Sequence, residues 1–184
     1  MGLLKEGISE VIATTDFNAA PMGIRCRDGE ASMVLFSGTH TAGNIERNGW
    51  VVANIVHDPV LYVRTAFGDL PRDAFREEPV GGVKMCRLAE ADGWAAFVAK
   101  VEHKTDELMV IRLALKKEIL REVALYPVNR GFNSIIDAAV HATRYRLNKD
   151  PELKKLIDYH ATVVRKCGGR RELEALEILM GFVQ

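Results

Sequence analysis

The sequence predicts a mainly β domain of antiparallel strands over residues 1–125, followed by a helical extension over residues 126–184. Three observations predict it. The first two-thirds consists of short apolar runs broken by Gly, Asp and Asn, the texture of a β meander. Asp28-Gly29 between two such runs is a strong hairpin signal. The last third instead repeats apolar residues at helical spacing, with a helix start at Asp150-Pro151-Glu152.

The elements follow in order. Residues 9–15 read as a short strand, and Asp16-Phe17-Asn18 as a turn whose side chains fold back on the backbone. Residues 19–25 continue as a second strand, with Pro21 marking an edge or a bulge. Residues 31–36 make a third. Residues 42–48 read as a short helix, with Thr41 as its N-cap and Gly49 where a left-handed residue ends it. Residues 50–56 are apolar on both faces, so this strand is central and buried. Asp58-Pro59 breaks it, and a short helix begins over 62–66. Residues 70–82, with prolines and several charges, read as a loop. Residues 83–88 and 94–102 are two more strands, joined by a turn at Asp92-Gly93. Residues 107–124 match both a long strand and a charged helix. In the tail, Phe132, Ile135, Ile136, Ala139, Thr143 and Leu147 share one helical face. A second helix carries Leu153, Leu156, Ile157, His160 and Val164 to a stop at Cys167-Gly168-Gly169, and a third spans 170–182.

Composition narrows the function classes. The chain has 184 residues, 48% of them hydrophobic, enough to bury a core without disulfide or metal staples. Its 25 basic and 25 acidic residues cancel, which argues against a bulk attraction to nucleic acid or to an anionic membrane. Cys26, Cys86 and Cys167 are odd in number and far apart, suggesting neither a disulfide framework nor a zinc ribbon. The first residues lack the apolar core of a secretion signal, and no run approaches the ~20 apolar residues of a membrane helix. Cytoplasmic residence is the expectation. No His-Glu-x-x-His spacing and no Gly-x-Ser-x-Gly elbow occurs, so neither a helical zinc site nor a hydrolase nucleophile is assigned. The basic groups Lys154-Lys155 and Arg165 to Arg171 read as a solvated helix face or as a docking surface for an anion.

Two segments carry candidate chemistry. Ser37-Gly38-Thr39-His40-Thr41-Ala42-Gly43-Asn44 sets three hydroxyls and a flexible glycine at a helix N-terminus. Hydroxyls, free N–H groups and the helix dipole together suit a phosphate, though a Ser/Thr-rich loop also caps helices for purely structural reasons. It is not a P-loop, since no Gly-Lys-Ser/Thr follows. The second segment, Thr14-Thr15 through Asn18-Ala19-Ala20-Pro21-Met22-Gly23, is a hairpin of small residues. It offers either a flat surface for a planar ring or a plain turn.

Taken together these residues resemble a known family. Thr14-Thr15 with Asn18-Ala19-Ala20-Pro21-Met22-Gly23 looks like the opening hairpin of FMN-binding split-barrel proteins related to flavin reductases. Ser37-x-Thr39-x-Thr41, Asn44-Ile45 and the strand from Val51 to Val56 resemble that family's phosphate loop and following strand. The whole chain, with Asn129-Arg130-Gly131-Phe132 in the tail, is similar to the domain of unknown function 447 family. The resemblance implies an antiparallel split β-barrel with a C-terminal helical extension, and a homodimer with FMN near the subunit interface. It implies a flavoprotein acting on a small molecule, or else a non-enzymatic flavin-binding or interaction module. On that reading the isoalloxazine packs along Thr14, Thr15, Asn18 and Met22. The phosphate sits at Ser37, Gly38, Thr39 and Thr41, and Asn44 shapes the helix start. Relatives often place Lys or Arg in the phosphate loop, where this chain has only His40. Either FMN is held more weakly, or a cation such as Arg64 or Arg130 contributes. No catalytic residue is assigned, because a flavin carries its own redox chemistry.

Overall fold

The computed structural model describes residues 2–121 and 125–183. They fall into two compact units. One contains Met1–Val56 with Leu70–Ala124, and the other contains His57–Asp69 with Leu125–Gln184.

The first unit is a closed six-stranded antiparallel barrel. Its strands are β1 (Gly7–Thr15), β2 (Asn18–Arg27), β3 (Glu30–Phe36), β4 (Trp50–Ile55), β7 (Gly93–Lys104) and β8 (Leu108–Leu120). They close in the order β1-β2-β3-β8-β7-β4, and β4 returns to β1 through Ile12↔Asn54 and Thr14↔Val52. Alternate residues point inward, as in β3, where Ala31, Met33 and Leu35 are buried between partly or fully exposed neighbours. They meet Val11, Ile24, Val51, Phe97, Met109 and Ile111 in one core. The hairpin expected at Asp28-Gly29 forms, with both residues at positive φ (50° and 81°) as a mirror-image two-residue turn requires. Pro21 pairs with Ile12, while the ladder to β3 spans only Ile24 to Arg27, so Pro21 turns its missing N–H to a free edge. All of β4 but Ile55 is buried, in keeping with its place between β1 and β7.

Several local expectations are corrected. The helix α1 spans His40–Asn48 and is capped by Thr39, whose hydroxyl accepts from the Ala42 N–H, not by Thr41. The stretch read as a loop over 70–82 holds a short 3-10 turn at Arg72–Ala74 and a strand, β5 (Phe75–Val80). β6 (Val83–Leu88) pairs with β5 rather than with β7, so the two form a separate arm. The ambiguous stretch is the strand β8; its last residues, 122–124, lie outside the described residues.

The second unit is helical. α3 (Arg130–Asn148), α4 (Pro151–Cys167) and α5 (Arg170–Phe182) pack with α2 (Pro59–Phe67), a helix drawn from the middle of the chain. Asp58 caps α2, and its carboxylate also takes Arg171 of α5 at 2.7 and 2.8 Å. Asp150 and Pro151 open α4 as their order predicts. The buried face of α3 is rotated from the expected one. Ser134, Ile135, Ala138, Ala139 and Ala142 face inward, while Leu147 is 79% exposed. Small residues let the helices approach closely, and the bulkier side chains are left at the rim.

Candidate functional site

The β1–β2 hairpin and the loop from β3 into α1 are joined by hydrogen bonds. Asn18 Nδ2, the first residue after the hairpin turn, donates to Thr41 Oγ1 at 3.0 Å. Asn44 Nδ2, one turn into α1, donates to the Thr15 carbonyl at 3.0 Å and to Thr15 Oγ1 at 3.2 Å. Arg47, one turn further, holds Asn44 Oδ1 and reaches Asp16 at 3.5 Å. Four of the nine candidates, Thr15, Asn18, Thr41 and Asn44, are thus wired together. Asp16 sits at positive φ (50°), which an Asp in a tight turn tolerates.

The loop itself is braced from the opposite hairpin. The Ser37 N–H donates to the Glu107 carbonyl (2.9 Å) and the Ser37 hydroxyl to the Thr105 carbonyl (2.8 Å). Thr39 gives its hydroxyl proton to the Phe36 carbonyl (2.9 Å) while accepting from Ala42 (3.2 Å). A hydroxyl carries one proton, so both resting donors are engaged within the chain. The first N–H groups of α1 have no intrahelical acceptor and carry the positive end of the helix dipole. Gly38 is exposed, and a β-carbon placed there would meet nothing within 4 Å; the same holds at Gly43. His40 is exposed beside them. The loop is therefore open where an anion would approach its backbone.

Thr14 and Thr15 behave differently. Both are fully buried. Thr14 Oγ1 donates to the Cys86 carbonyl on β6 at 2.6 Å and accepts from Asn54 Nδ2 at 3.0 Å. Their side chains support the hairpin from inside. The hairpin candidates with open surface are Asn18 and Met22. Arg64 and Arg130, the cations suggested from sequence, lie on α2 and α3 of the helical unit.

Sequence reasoning missed several members of this site. Asn54 links β1, β4 and β6 (2.8 Å to the Ile12 carbonyl, 2.8 Å from the Leu88 N–H). Phe17 at the hairpin tip is packed edge-on by Phe75 (5.8 Å, 81°) and covered by the Arg72 guanidinium at 3.8 Å. Arg47 and the Thr105–Glu107 turn complete the frame. Only Phe17, an aromatic in a turn otherwise made of Asp and Asn, stood out locally. Cys86 is no nucleophile: burial first, then Glu77, pushes its thiol up to about 11, so it stays protonated near neutrality. Among the described residues no group of three His, Cys, Asp or Glu side chains could hold a metal. The arrangement suits binding: donors for an anion at one end, and a fixed hairpin at the other.

Comparisons with known proteins place the chain in a family and a fold. A family model described as "protein of unknown function (DUF447) N-terminal domain" matches residues 9–122, and its C-terminal companion matches residues 129–181. An uncharacterized protein of Methanocaldococcus jannaschii is 25% identical over 193 residues, covering 94% of this chain and 96% of its own. The crystal structure of an FMN-bound protein from Methanosarcina mazei, of the same family model, superposes with a TM-score of 0.91 at 36% identity. The match covers 97% of this chain and 96% of that one. A 2-nitrobenzoate 2-nitroreductase of Pseudomonas fluorescens shares the fold alone, with a TM-score of 0.50 at 14% identity over 65% of this chain and 68% of its own.

Proposed function

This chain belongs to the DUF447 family of proteins of unknown function, and from that premise we propose that it is an FMN-binding flavoprotein. In finer terms, we propose a flavin-dependent oxidoreductase of the flavin reductase kind, acting on a small molecule. The observation that carries the reading is the hydrogen-bonded junction of hairpin and loop, Asn18 to Thr41 and Asn44 to Thr15. It lies in a chain whose fold is that of an FMN-bound protein.

The residues present fit the group. The N-terminus of α1, with the open backbone at Gly38, receives the phosphate. Ser37 and Thr39 add hydroxyl donors once their protons turn from the Thr105 and Phe36 carbonyls to a charged oxygen, which makes the stronger bond, and Thr41, whose oxygen accepts from Asn18, adds a third. Asn18 and Met22 face the ring. Thr14, Thr15 and Asn44 hold that surface in place from behind. Bound FMN supplies the electron-transfer chemistry, and the protein supplies position and hydrogen bonds.

A homodimer is part of the proposal. Val34 and Phe36 of β3, Val98 of β7 and Leu108 of β8 are all at least 40% exposed, and a second copy would bury them. Cytoplasmic residence is supported by three free thiols, and no helix among the described residues is long and apolar enough to cross a membrane. Residues 1–125, apart from the α2 stretch that belongs to the helical unit, carry the flavin on this reading, with 126–184 as the helical extension.

Replacing Ser37 and Thr39 together with alanine removes two anion donors and the cap of α1. FMN affinity is expected to fall by about 1–3 kcal/mol, roughly 5- to 150-fold. Riboflavin, which lacks the phosphate, should bind both proteins alike. Equal FMN affinity of the variant and the parent in a fluorescence titration removes the phosphate assignment.

A further inference from the structure

The helical unit holds an unusual pair. His141 on α3 and His160 on α4 face each other with ring centroids 5.6 Å apart and planes 28° apart, and Tyr159 lies edge-on to His160 at 5.3 Å. The Nδ1 atom of each ring is buried and has no hydrogen-bond partner among the described residues. On the same two helices, Ala138, Ala139 and Ala142 of α3 and Ile157, Ala161 and Val164 of α4 share one apolar cluster.

We propose that His141, facing His160, forms an acid-operated latch between α3 and α4, closed while the His141 ring is neutral and opened when it takes up a proton. A neutral imidazole can carry its proton on Nε2 and leave Nδ1 as a bare lone pair, a modest cost when buried. Protonation turns that same buried atom into a charged donor with no acceptor, which costs far more. The facing His160 ring lies 5.6 Å away, centroid to centroid, and offers that charge no acceptor.

The groups bearing on His141 are consistent with this. Burial lowers its affinity for a proton most, His160 of α4 and Arg144 of α3 act the same way, and only Asp137, one turn earlier on α3, opposes them. On α4, Asp158 is taken up by Lys154 at 2.6 and 2.7 Å. Glu172, the buried acid of α5, is engaged with Asn129 and Gly169. The sign follows. The folded contact binds fewer protons than the open one, so its stability is full above the ordinary histidine range near ~6.5 and is lost as pH falls through the lowered value. Acid opens the latch and neutral pH closes it.

Amide hydrogen exchange on the full chain tests this, as protection factors at about pH 7.5 and about pH 5.5. In the parent, protection in α3 and α4 should fall on acidification, by about tenfold for each unit by which folding lowers a histidine's proton affinity. The double variant His141→Phe with His160→Phe should lose that pH dependence. His141→Gln with His160→Gln should lose it too, and serves if the phenylalanines pack badly. His57, stacked between Tyr126 and Phe132 in the same unit, is unchanged in every variant and cancels from the comparison. Equal protection of α3 and α4 in the parent at both pH values overturns the proposal. So does an equal acid loss in parent and variants.

Discussion

Replacing Asn54 with leucine is expected to destabilise the barrel unit by about 3 kcal/mol, through polar groups left buried without partners. Asn54 is 0% exposed within an otherwise apolar strand. Its carbonyl accepts the Leu88 N–H at 2.8 Å, and its amide serves the Ile12 carbonyl and the Thr14 hydroxyl at 2.8 and 3.0 Å. A leucine of similar volume keeps the packing and answers none of these groups. The Leu88 N–H of β6 would then be a buried orphan facing β4. Because Leu88 and Cys86 belong to β6, the β5–β6 arm should loosen first. Hydrogen exchange in residues 75–88 should rise before that of β7 and β8, and thermal melting should show the drop. Thr14→Val, which removes the bond to the Cys86 carbonyl (2.6 Å) and one acceptor of the Asn54 amide (3.0 Å) but leaves that amide the Ile12 carbonyl (2.8 Å), should cost about 1 kcal/mol. Equal, small losses for both variants would show that the network carries no special weight.

Replacing Gly131 with alanine is expected to destabilise the helical unit by about 1–3 kcal/mol or more, although alanine is the better helix former. A β-carbon at Gly131 would lie 2.6 Å from the Gly168 Cα and 2.7 Å from its backbone nitrogen. Both are backbone atoms, which cannot step aside as a side-chain end can. Here the first turn of α3 passes directly over the end of α4. The neighbourhood is pinned as well: Asn129 Oδ1 accepts the Gly131 N–H at 2.8 Å, and Glu172 takes the Gly169 N–H at 2.8 Å. Relieving the clash means prying apart those caps. Gly181→Ala, where a β-carbon meets nothing within 4 Å, is the internal control and should be neutral or slightly stabilising. Calorimetry should show the Gly131→Ala melt shifted down and the Gly181→Ala melt unmoved. The opposite order would contradict the packing described.

How much of this was legible in the sequence depended on how local the determining interactions are. The turn at Asp28-Gly29 and the start of α4 at Asp150-Pro151 rest on residues adjacent in sequence, and both could be read. β5 could not, because its middle residues Arg76, Glu77, Glu78 and Pro79 are charged or proline and only its end residues Phe75 and Val80 are buried. β8 presents apolar and charged residues together along an outer face, so its period is blurred. The cap of α1 fell two residues early because Thr41, the better-looking candidate, turns instead to Asn18. Asn54 was readable as buried but not as a hub, since its partners are 42, 40 and 34 residues away. The meeting of hairpin and loop spans 23 and 29 residues, beyond any local rule. What made that pair of segments a candidate was the family resemblance, not their spacing alone.

The measurement that bears most directly on the account is a titration of FMN into flavin-free protein, followed by gel filtration with detection in the flavin's visible band at ~450 nm. The account predicts saturable uptake of one FMN per chain, with colour travelling with the protein peak and riboflavin held less tightly. FMN that elutes free, with its spectrum and fluorescence unaltered by the protein, would contradict it.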